Sequence, residues 1–425
     1  MKSYHLPGFG IELTQLTSSF SEALKAKHSQ LFSSAKRELD EKFTSKTVGF
    51  FDWPKTISQE EVSKITRLAR DLKSKYQGLL VCGIGGSHLG AAAVLEALRS
   101  EAEEKHFPIF WLNNVDRWAM DRARTFVTER KVACLIISKS GNTTETLSAF
   151  FHLHSHLDSK GIVIITDPET GELRRWANTH GYASLAVPPN IGGRFSVLTS
   201  VGLLPIALGG VDIYGLLAGA RDFRHYSDSL AVDANPAYQV AAMSYIWDTH
   251  FGHHTQYLMP YQSNLKLLTD WYVQLWAESL GKKDMSGKAV GPTFVGALGT
   301  RDQHSLLQLF KEGPSNKLVG FIDVAPSKTP LTVGPAPVPT PDFKYLSEHS
   351  FEEINSKALL ATAQSLEGAK VPTYRFMFEK LSPETLGSFI LFQEFACAIA
   401  GEFYQVNAFN QPGVEEAKKL LRQSL

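Results

Sequence analysis

The sequence predicts an α/β fold with mainly parallel sheets, built in two halves. Three observations predict it. Short, continuous apolar runs end on glycine- or serine-rich turns, and helical patterns separate one run from the next. Uninterrupted apolar strands belong to parallel sheets covered by helices on both faces. The chain has 425 residues, more than one ordinary hydrophobic core accommodates.

Residues 1 to about 60 are polar and mixed, and read as helices packed outside the sheets. Leu79–Cys82 is the first apolar run, and the alanine-rich Leu89–Leu98 follows as a helix. Pro108–Leu112 and Val132–Ile137 are the next strands, with a helix from Thr143. Gly161–Thr166 closes on Asp167-Pro168. The second half repeats the alternation, with strands at Thr255–Pro260, Thr293–Ala297, Leu318–Val324 and Thr373–Phe378. Its helices include Leu265–Leu280, Gln303–Lys311 and Phe351–Leu366. Pro326–Pro341 is proline-rich and reads as an ordered surface connection. A long helix, Pro383–Tyr404, precedes a short one at Val414–Gln423. The implied division is an N-terminal segment 1–60, α/β domains 61–225 and 226–400, and a tail helix in 401–425.

Lysine plus arginine equal aspartate plus glutamate at 43 each, so no basic field exists to attract nucleic acid or an anionic membrane. Three scattered cysteines, Cys82, Cys134 and Cys397, argue against a disulfide framework or thiolate metal site. The N-terminus lacks an apolar signal core. The apolar window Val201–Ala220 is interrupted by Pro205, Asp212 and glycines, which disfavours a membrane span. A cytoplasmic location is the expectation.

The segment Gly83-Ile84-Gly85-Gly86-Ser87 follows a strand and opens a helix. Glycines let backbone approach an anion, and the helix start supplies free N–H groups. His88 stands where a dinucleotide fingerprint needs glycine, and Asn113-Asn114 stand where it needs an acid, so a nicotinamide fold is disfavoured. A second turn, Ser138-Lys139-Ser140-Gly141-Asn142-Thr143-Thr144-Glu145, clusters hydroxyls and a lysine at a strand's carboxyl end, where open α/β sheets hold ligands. Asn142 is positioned to cap the next helix, with Glu145 in capping-box spacing.

In the Leu265–Leu280 helix, Leu268, Trp271, Leu275 and Glu278 follow helical spacing, with Gln274 one turn before Glu278. A carboxylate on an apolar stripe is partly desolvated and is a stronger base toward a carbon acid. The plain reading of the same residue is an i,i+4 pair with Lys282 on a solvated face. Gly192-Gly193-Arg194-Phe195-Ser196 offers an arginine with close access to a ligand oxygen. Gly299-Thr300-Arg301-Asp302-Gln303-His304-Ser305 sets a histidine at a helix start. Gln411-Pro412-Gly413-Val414-Glu415-Glu416-Ala417-Lys418 sets a lysine on the last helix. Two histidine pairs, His152 with His156 and His250 with His254, have metal-compatible spacing but read as solvated or packed side chains.

These segments, in this order from about Gly78 to Lys419, resemble the phosphoglucose isomerase (glucose-6-phosphate isomerase) family in its compact bacterial form. The resemblance implies two sugar-isomerase (SIS) three-layer αβα sandwich domains with a C-terminal helical tail. It implies interconversion of glucose 6-phosphate and fructose 6-phosphate through a cis-enediol, with no cofactor and no metal. It implies Glu278 as the proton-shuttling base and Arg194 as the group that stabilises the enediolate. His304 and Lys418 would open the sugar ring, with His304 contributed by the partner subunit of a homodimer. Ser138, Ser140 and Thr143 would hold the phosphate with Lys139 beside them, and Gly86, Ser87, Gln274 and Gln411 would complete the pocket. The sequence departs from the commoner pattern at His88, where tyrosine or aspartate often stands, and at Phe195, which replaces a tyrosine. Alternatives are a bifunctional phosphoglucose/phosphomannose isomerase and a non-catalytic sugar-phosphate regulator, which would have no reason to retain Glu278, Arg194, His304 and Lys418 together. An aminotransferring relative would need an N-terminal cysteine where Met1-Lys2-Ser3 stand.

Overall fold

The computed structural model describes residues 2–13, 18–326, 329–338 and 341–425. Its strands in chain order are β1 (Lys2–Leu6), β2 (Phe9–Leu13), β3 (Leu79–Cys82), β4 (Ile109–Leu112), β5 (Ala133–Ile137), β6 (Ile162–Thr166), β7 (Ala183–Ala186), β8 (Thr255–Pro260), β9 (Lys282–Lys283), β10 (Ala289–Val290), β11 (Thr293–Gly296), β12 (Lys317–Val324) and β13 (Thr373–Phe378). A five-stranded sheet has the order β4-β3-β5-β6-β7, parallel throughout. A six-stranded sheet has the order β1-β2-β13-β12-β8-β11, parallel from β13 to β11.

The two parallel arrays share one winding. In each, the first strand (β3 or β8) has the second on one side and the third on the other. The order therefore reverses beside β3 and beside β8, and such reversals open a crevice at the strands' carboxyl ends. The expected parallel strands all form, with small shifts at their ends.

Alternation along each strand decides which core a side chain enters. Leu79 and Val81 join a large central core, whereas Leu80 and Cys82 join a second core on the outer face. On β12, Leu318 and Ile322 face the central core, and Val319 and Phe321 a third. The central core is a helical layer between the sheets, dominated by Pro383–Phe403, whose residues from Thr385 to Gly401 are all buried. That helix is long and apolar enough to cross a membrane, but 94% of its apolar window is buried inside the protein.

Residues 1–60 differ from the expected purely helical segment. Lys2–Leu6 and Phe9–Leu13 form an antiparallel hairpin, and β2 pairs antiparallel with β13. Phe9 and Ile11 are buried, and Phe9 packs edge-on against Phe376, Phe378, Phe389 and Phe392. Gly8 provides the turn at φ 86°, a conformation that costs glycine little. Ser18–Thr44 is helical, as is Gln59–Lys75. In the proline-rich stretch, 327–328 and 339–340 lie outside the described residues, and Pro341–Glu348 forms 3-10 turns.

Candidate active site

The glycine turn after β3 comes into direct contact with two other quoted segments. A Cβ built on Gly86 would lie 2.3 Å from the Gly193 carbonyl oxygen and 2.8 Å from the Arg194 nitrogen. The two turns therefore meet backbone to backbone, at a distance only glycine permits. Gly85 adopts φ 57°, and its open face lies against Gln274 Nε2, 2.8 Å from an ideal Cβ. Turn, arginine and helix thus form one wall.

On that wall, Arg194 Nη1 stands 3.6 Å from Glu278 Oε2. Gln274 Nε2 donates to the same carboxylate oxygen at 3.3 Å. Arg194 is 3% exposed, and four acceptors fix its plane. Nε donates to Ser279 Oγ at 2.7 Å and Nη1 to Gln411 Oε1 at 3.1 Å. Nη2 donates to the carbonyls of Ala408 and Asn410. Burial pulls the guanidinium below its ordinary value while Glu278 pushes it back, and arginine remains a fixed cation. Glu278 itself is half-buried, its side chain 28% exposed, so the carboxylate is screened from bulk water yet open to a ligand.

The hydroxyl loop after β5 adjoins this wall, since β3 and β5 are neighbours. Ser138 Oγ is 2.7 Å from Thr143 Oγ1 and 3.5 Å from Ser140 Oγ. Three hydroxyls thus converge at the carboxyl end of a buried strand, beside the start of the Thr144–Leu153 helix, whose first-turn N–H groups have no intrahelical acceptor. Lys139 lies in the same loop and is engaged by backbone carbonyls. Its Nζ donates to the carbonyls of Pro189 (2.7 Å) and Ile191 (2.8 Å), lashing the hydroxyl loop to the segment that leads into Arg194. Burial lowers its pKa.

Asn142 does not cap the helix that follows it. The N-cap is Thr143, whose side chain makes no capping bond, and Asn142 Oδ1 accepts from the Glu172 N–H, 3.1 Å away, at the start of another helix. Gly141, at φ 69° and packed on Gly171, brings the two helix starts together. Lys282 does not pair with Glu278 either. The helix ends at Leu280 with Gly281 as C-cap, which breaks the i,i+4 relation. Lys282 Nζ instead donates to the carbonyls of Asn407 and Asn410.

Glu278, Arg194, Gln274, Gln411, Gly86 and Ser87 therefore share one wall, with Ser138, Ser140 and Thr143 beside it. His304 and Lys418 make no hydrogen bond or ion pair to that wall among the described residues, although the terminal helix that carries Lys418 reaches the hydroxyl loop through Arg422, which donates to the Asn142 carbonyl at 3.3 Å. His304 is exposed at the start of Gln303–Glu312. Lys418 is exposed and pairs with Glu415 at 2.8 Å. Phe195 is buried against Phe50 and Phe409, ring centroids 4.8 and 5.5 Å away, so it packs beneath Arg194. His88 is 8% exposed and bonded to Asn113 Nδ2 at 2.9 Å, and burial pushes its pKa down to about 4. Gln274 Oε1 is a buried acceptor without a partner among the described residues. Among those residues no group of three or more His, Cys, Asp or Glu is arranged to hold a metal ion. His254 instead bonds Asp248 at 2.6 Å.

A doubly crossed α/β scaffold with a carboxylate–guanidinium pair beside a hydroxyl-rich, strand-end loop defines a class: an α/β protein built to hold an anionic, oxygen-rich small molecule. The sequence pattern of phosphoglucose isomerase matches residues 71–425, and the chain belongs to the phosphoglucose isomerase family. It is 37% identical over 409 residues to glucose-6-phosphate isomerase of Carboxydothermus hydrogenoformans, covering 92% of this chain and 88% of the relative. It is 35% identical over 386 residues to glucose-6-phosphate isomerase of Rubrobacter xylanophilus, 88% of each chain. Among solved structures, a Thermus thermophilus protein described as hypothetical superposes with a TM-score of 0.89 at 30% identity, covering 97% of this chain and 99% of the other. A glucose-6-phosphate isomerase of Chlamydia trachomatis superposes at 0.82 and 21% identity, over 99% and 89% of the chains, a likeness of fold.

Proposed function

We propose that this chain is a glucose-6-phosphate isomerase that interconverts glucose 6-phosphate and fructose 6-phosphate. The observation that carries the reading is the half-buried Glu278 carboxylate 3.6 Å from the fixed, buried Arg194 guanidinium, with the Ser138–Thr143 hydroxyls alongside. Glu278 removes the proton from one of the C1–C2 pair and returns it to the other, so one carboxylate serves both half-reactions. Arg194, held by Ser279, Gln411 and two carbonyls, is pre-organised to meet the enediolate oxygen as its charge develops. Ser138, Ser140 and Thr143 bind the phosphate, and binding there orients carbons some distance away. Lys139 stands beside these hydroxyls and fixes the loop through the Pro189 and Ile191 carbonyls. Gly86, Ser87, Gln274 and Gln411 complete the pocket, and Gln274 Oε1, without a partner among the described residues, accepts from a sugar hydroxyl.

Ring opening falls to His304 and Lys418. His304 reaches the site of the partner subunit in a homodimer, in keeping with its exposure and with its side chain having no hydrogen-bond partner among the described residues. The domain division proposed is 61–225 and 226–400 with a tail from 401, and the Lys2–Leu13 hairpin is counted with the second domain whose sheet it extends. The test is turnover of fructose 6-phosphate, without added metal and with a chelator, followed through a coupled dehydrogenase, with mannose 6-phosphate in parallel. Rapid turnover of fructose 6-phosphate alone supports the reading. Comparable use of mannose 6-phosphate replaces it with the bifunctional enzyme, and binding without turnover replaces it with a sugar-phosphate sensor.

A further inference from the structure

Below the Glu278–Arg194 pair, the chain leaving the Pro383–Phe403 helix turns through Asn407–Gln411 before entering the terminal helix. Three carbonyls of that short loop point at two cations. Asn407 and Asn410 accept from Lys282 Nζ, while Ala408 and Asn410 accept from Arg194 Nη2. The Asn410 oxygen is shared, 2.7 Å from the ammonium and 3.0 Å from the guanidinium. Lys282 arrives from the far side of Gly281, off the end of the helix that carries Glu278. One short stretch, Glu278 to Lys282, therefore supplies both the carboxylate and half of the clamp on the loop that delivers Gln411.

We propose that Lys282 is a positioning residue for this site: with Arg194 it forms a two-cation clamp on the Asn407–Asn410 carbonyls, which fixes Gln411 against Arg194 and sets where the terminal helix begins. The inference rests on the isomerase reading above for its consequence in catalysis, but not for the clamp itself. Two neighbouring cations repel, and the loop carbonyls compensate them by turning their negative ends inward. Burial, and after it Arg194, pulls the ammonium down to about 8, while Cys397 and Glu278 oppose the fall. Removing it leaves the Asn407 oxygen without its donor and halves the grip on Asn410. Gln411 then loses its register on a guanidinium that contacts it through a single 3.1 Å bond.

Phosphate binding lies in another loop, after β5, so the clamp separates turnover from affinity. The test replaces Lys282 by cysteine in the full-length protein. Cys82, Cys134 and Cys397 are all buried, so 2-bromoethylamine then modifies position 282 selectively and restores an ammonium on a chain of the original length. Hydrogen exchange is read at the Phe409 and Val414 amides, which bond to Asn407 Oδ1 and the Gln411 carbonyl. Lys282→Cys is expected to exchange there at least about tenfold faster and to lose about 10²-fold in kcat, the scale of a 1 Å misplacement. KM for fructose 6-phosphate and the competitive Ki of inorganic phosphate are expected to stay within about threefold. Aminoethylation is expected to recover most of both losses. Unchanged exchange at Phe409 and Val414, or losses that aminoethylation leaves uncorrected in a folded protein, overturns the proposal. Should Lys282→Cys not fold, Lys282→Arg takes its place: retained protection of the two amides supports the clamp and lost protection overturns it. A wild type inactive on fructose 6-phosphate would remove the isomerase reading, and the clamp would then stand or fall on the exchange data.

Discussion

Replacing Gly86 by alanine probes the contact on which the site is built. The added Cβ would lie 2.3 Å from the Gly193 oxygen, 2.4 Å from its carbonyl carbon and 2.8 Å from the Arg194 nitrogen. All three are backbone atoms, so no side-chain rotation relieves the clash. Ordinary van der Waals contact requires the two turns to part by about 1 Å. Overpacking of this kind costs about 1–3 kcal/mol of stability. The displacement is carried straight to Arg194, whose 3.1 Å bond to Gln411 does not survive a 1 Å stretch. A misplacement of that size at a reacting group costs about 10²-fold in rate. Steady-state kinetics with fructose 6-phosphate and a thermal melt read the two effects together. Gly193→Ala is the stability comparison, because a Cβ there meets nothing within 4 Å, so its melt is expected to match wild type. Gly86→Ala with wild-type melting and kcat/KM within threefold would refute the argument that glycine here is a packing requirement.

Further outcomes follow from other residues of the site. Glu278→Gln is expected to lower kcat by about 10²–10⁴-fold, the usual contribution of a general base, with near-normal binding of inorganic phosphate; a loss under tenfold would remove Glu278 as the base. Mixing inactive Glu278→Gln and His304→Ala subunits is expected to restore part of the activity through heterodimers, and no restoration after verified subunit exchange would place His304 outside the partner's site. His88 binds its proton less readily folded than unfolded, its pKa falling from 6.5 to about 4. Unfolded chains therefore take up the proton first as pH falls, and stability is lost between about pH 6.5 and 4, by at most about 3 kcal/mol. Urea midpoints across that window are expected to drop more for wild type than for His88→Asn, and parallel slopes would count against a neutral, buried His88.

Much of the site was legible because its parts are local. A glycine run after an apolar strand, a hydroxyl-rich turn after another, and a glutamate in register with Leu268, Trp271 and Leu275 are short-range patterns, and each says what its own backbone must do. What failed were assignments of partners. Asn142 was suited to cap its own helix, but Gly141 against Gly171 brings the start of Glu172–His180 within reach, and the cap goes there. The ties of Lys139 to the Pro189 and Ile191 carbonyls, some fifty residues on, have no signal in the local sequence. Lys282 had helical spacing to Glu278 on paper, but Gly281 ends the helix first. The short strand β7 is mostly outside the core, so it lacks the apolar run that reveals its neighbours.

The sequence by itself determined the alternation of strands and helices, the two-part winding and the chemical identity of the groups at the strand ends, because periodicity and turn chemistry act over a few residues. Only the tertiary structure decided that β2 joins the sheet beside β13, that Arg194 meets Glu278 and Gln411, and that Lys282 grips the Asn407–Gln411 loop. Those contacts join positions up to some hundreds of residues apart. Their energy comes from burying shared apolar surface and satisfying charges in the cavity left over, quantities that exist only once both sheets have closed on the central helices.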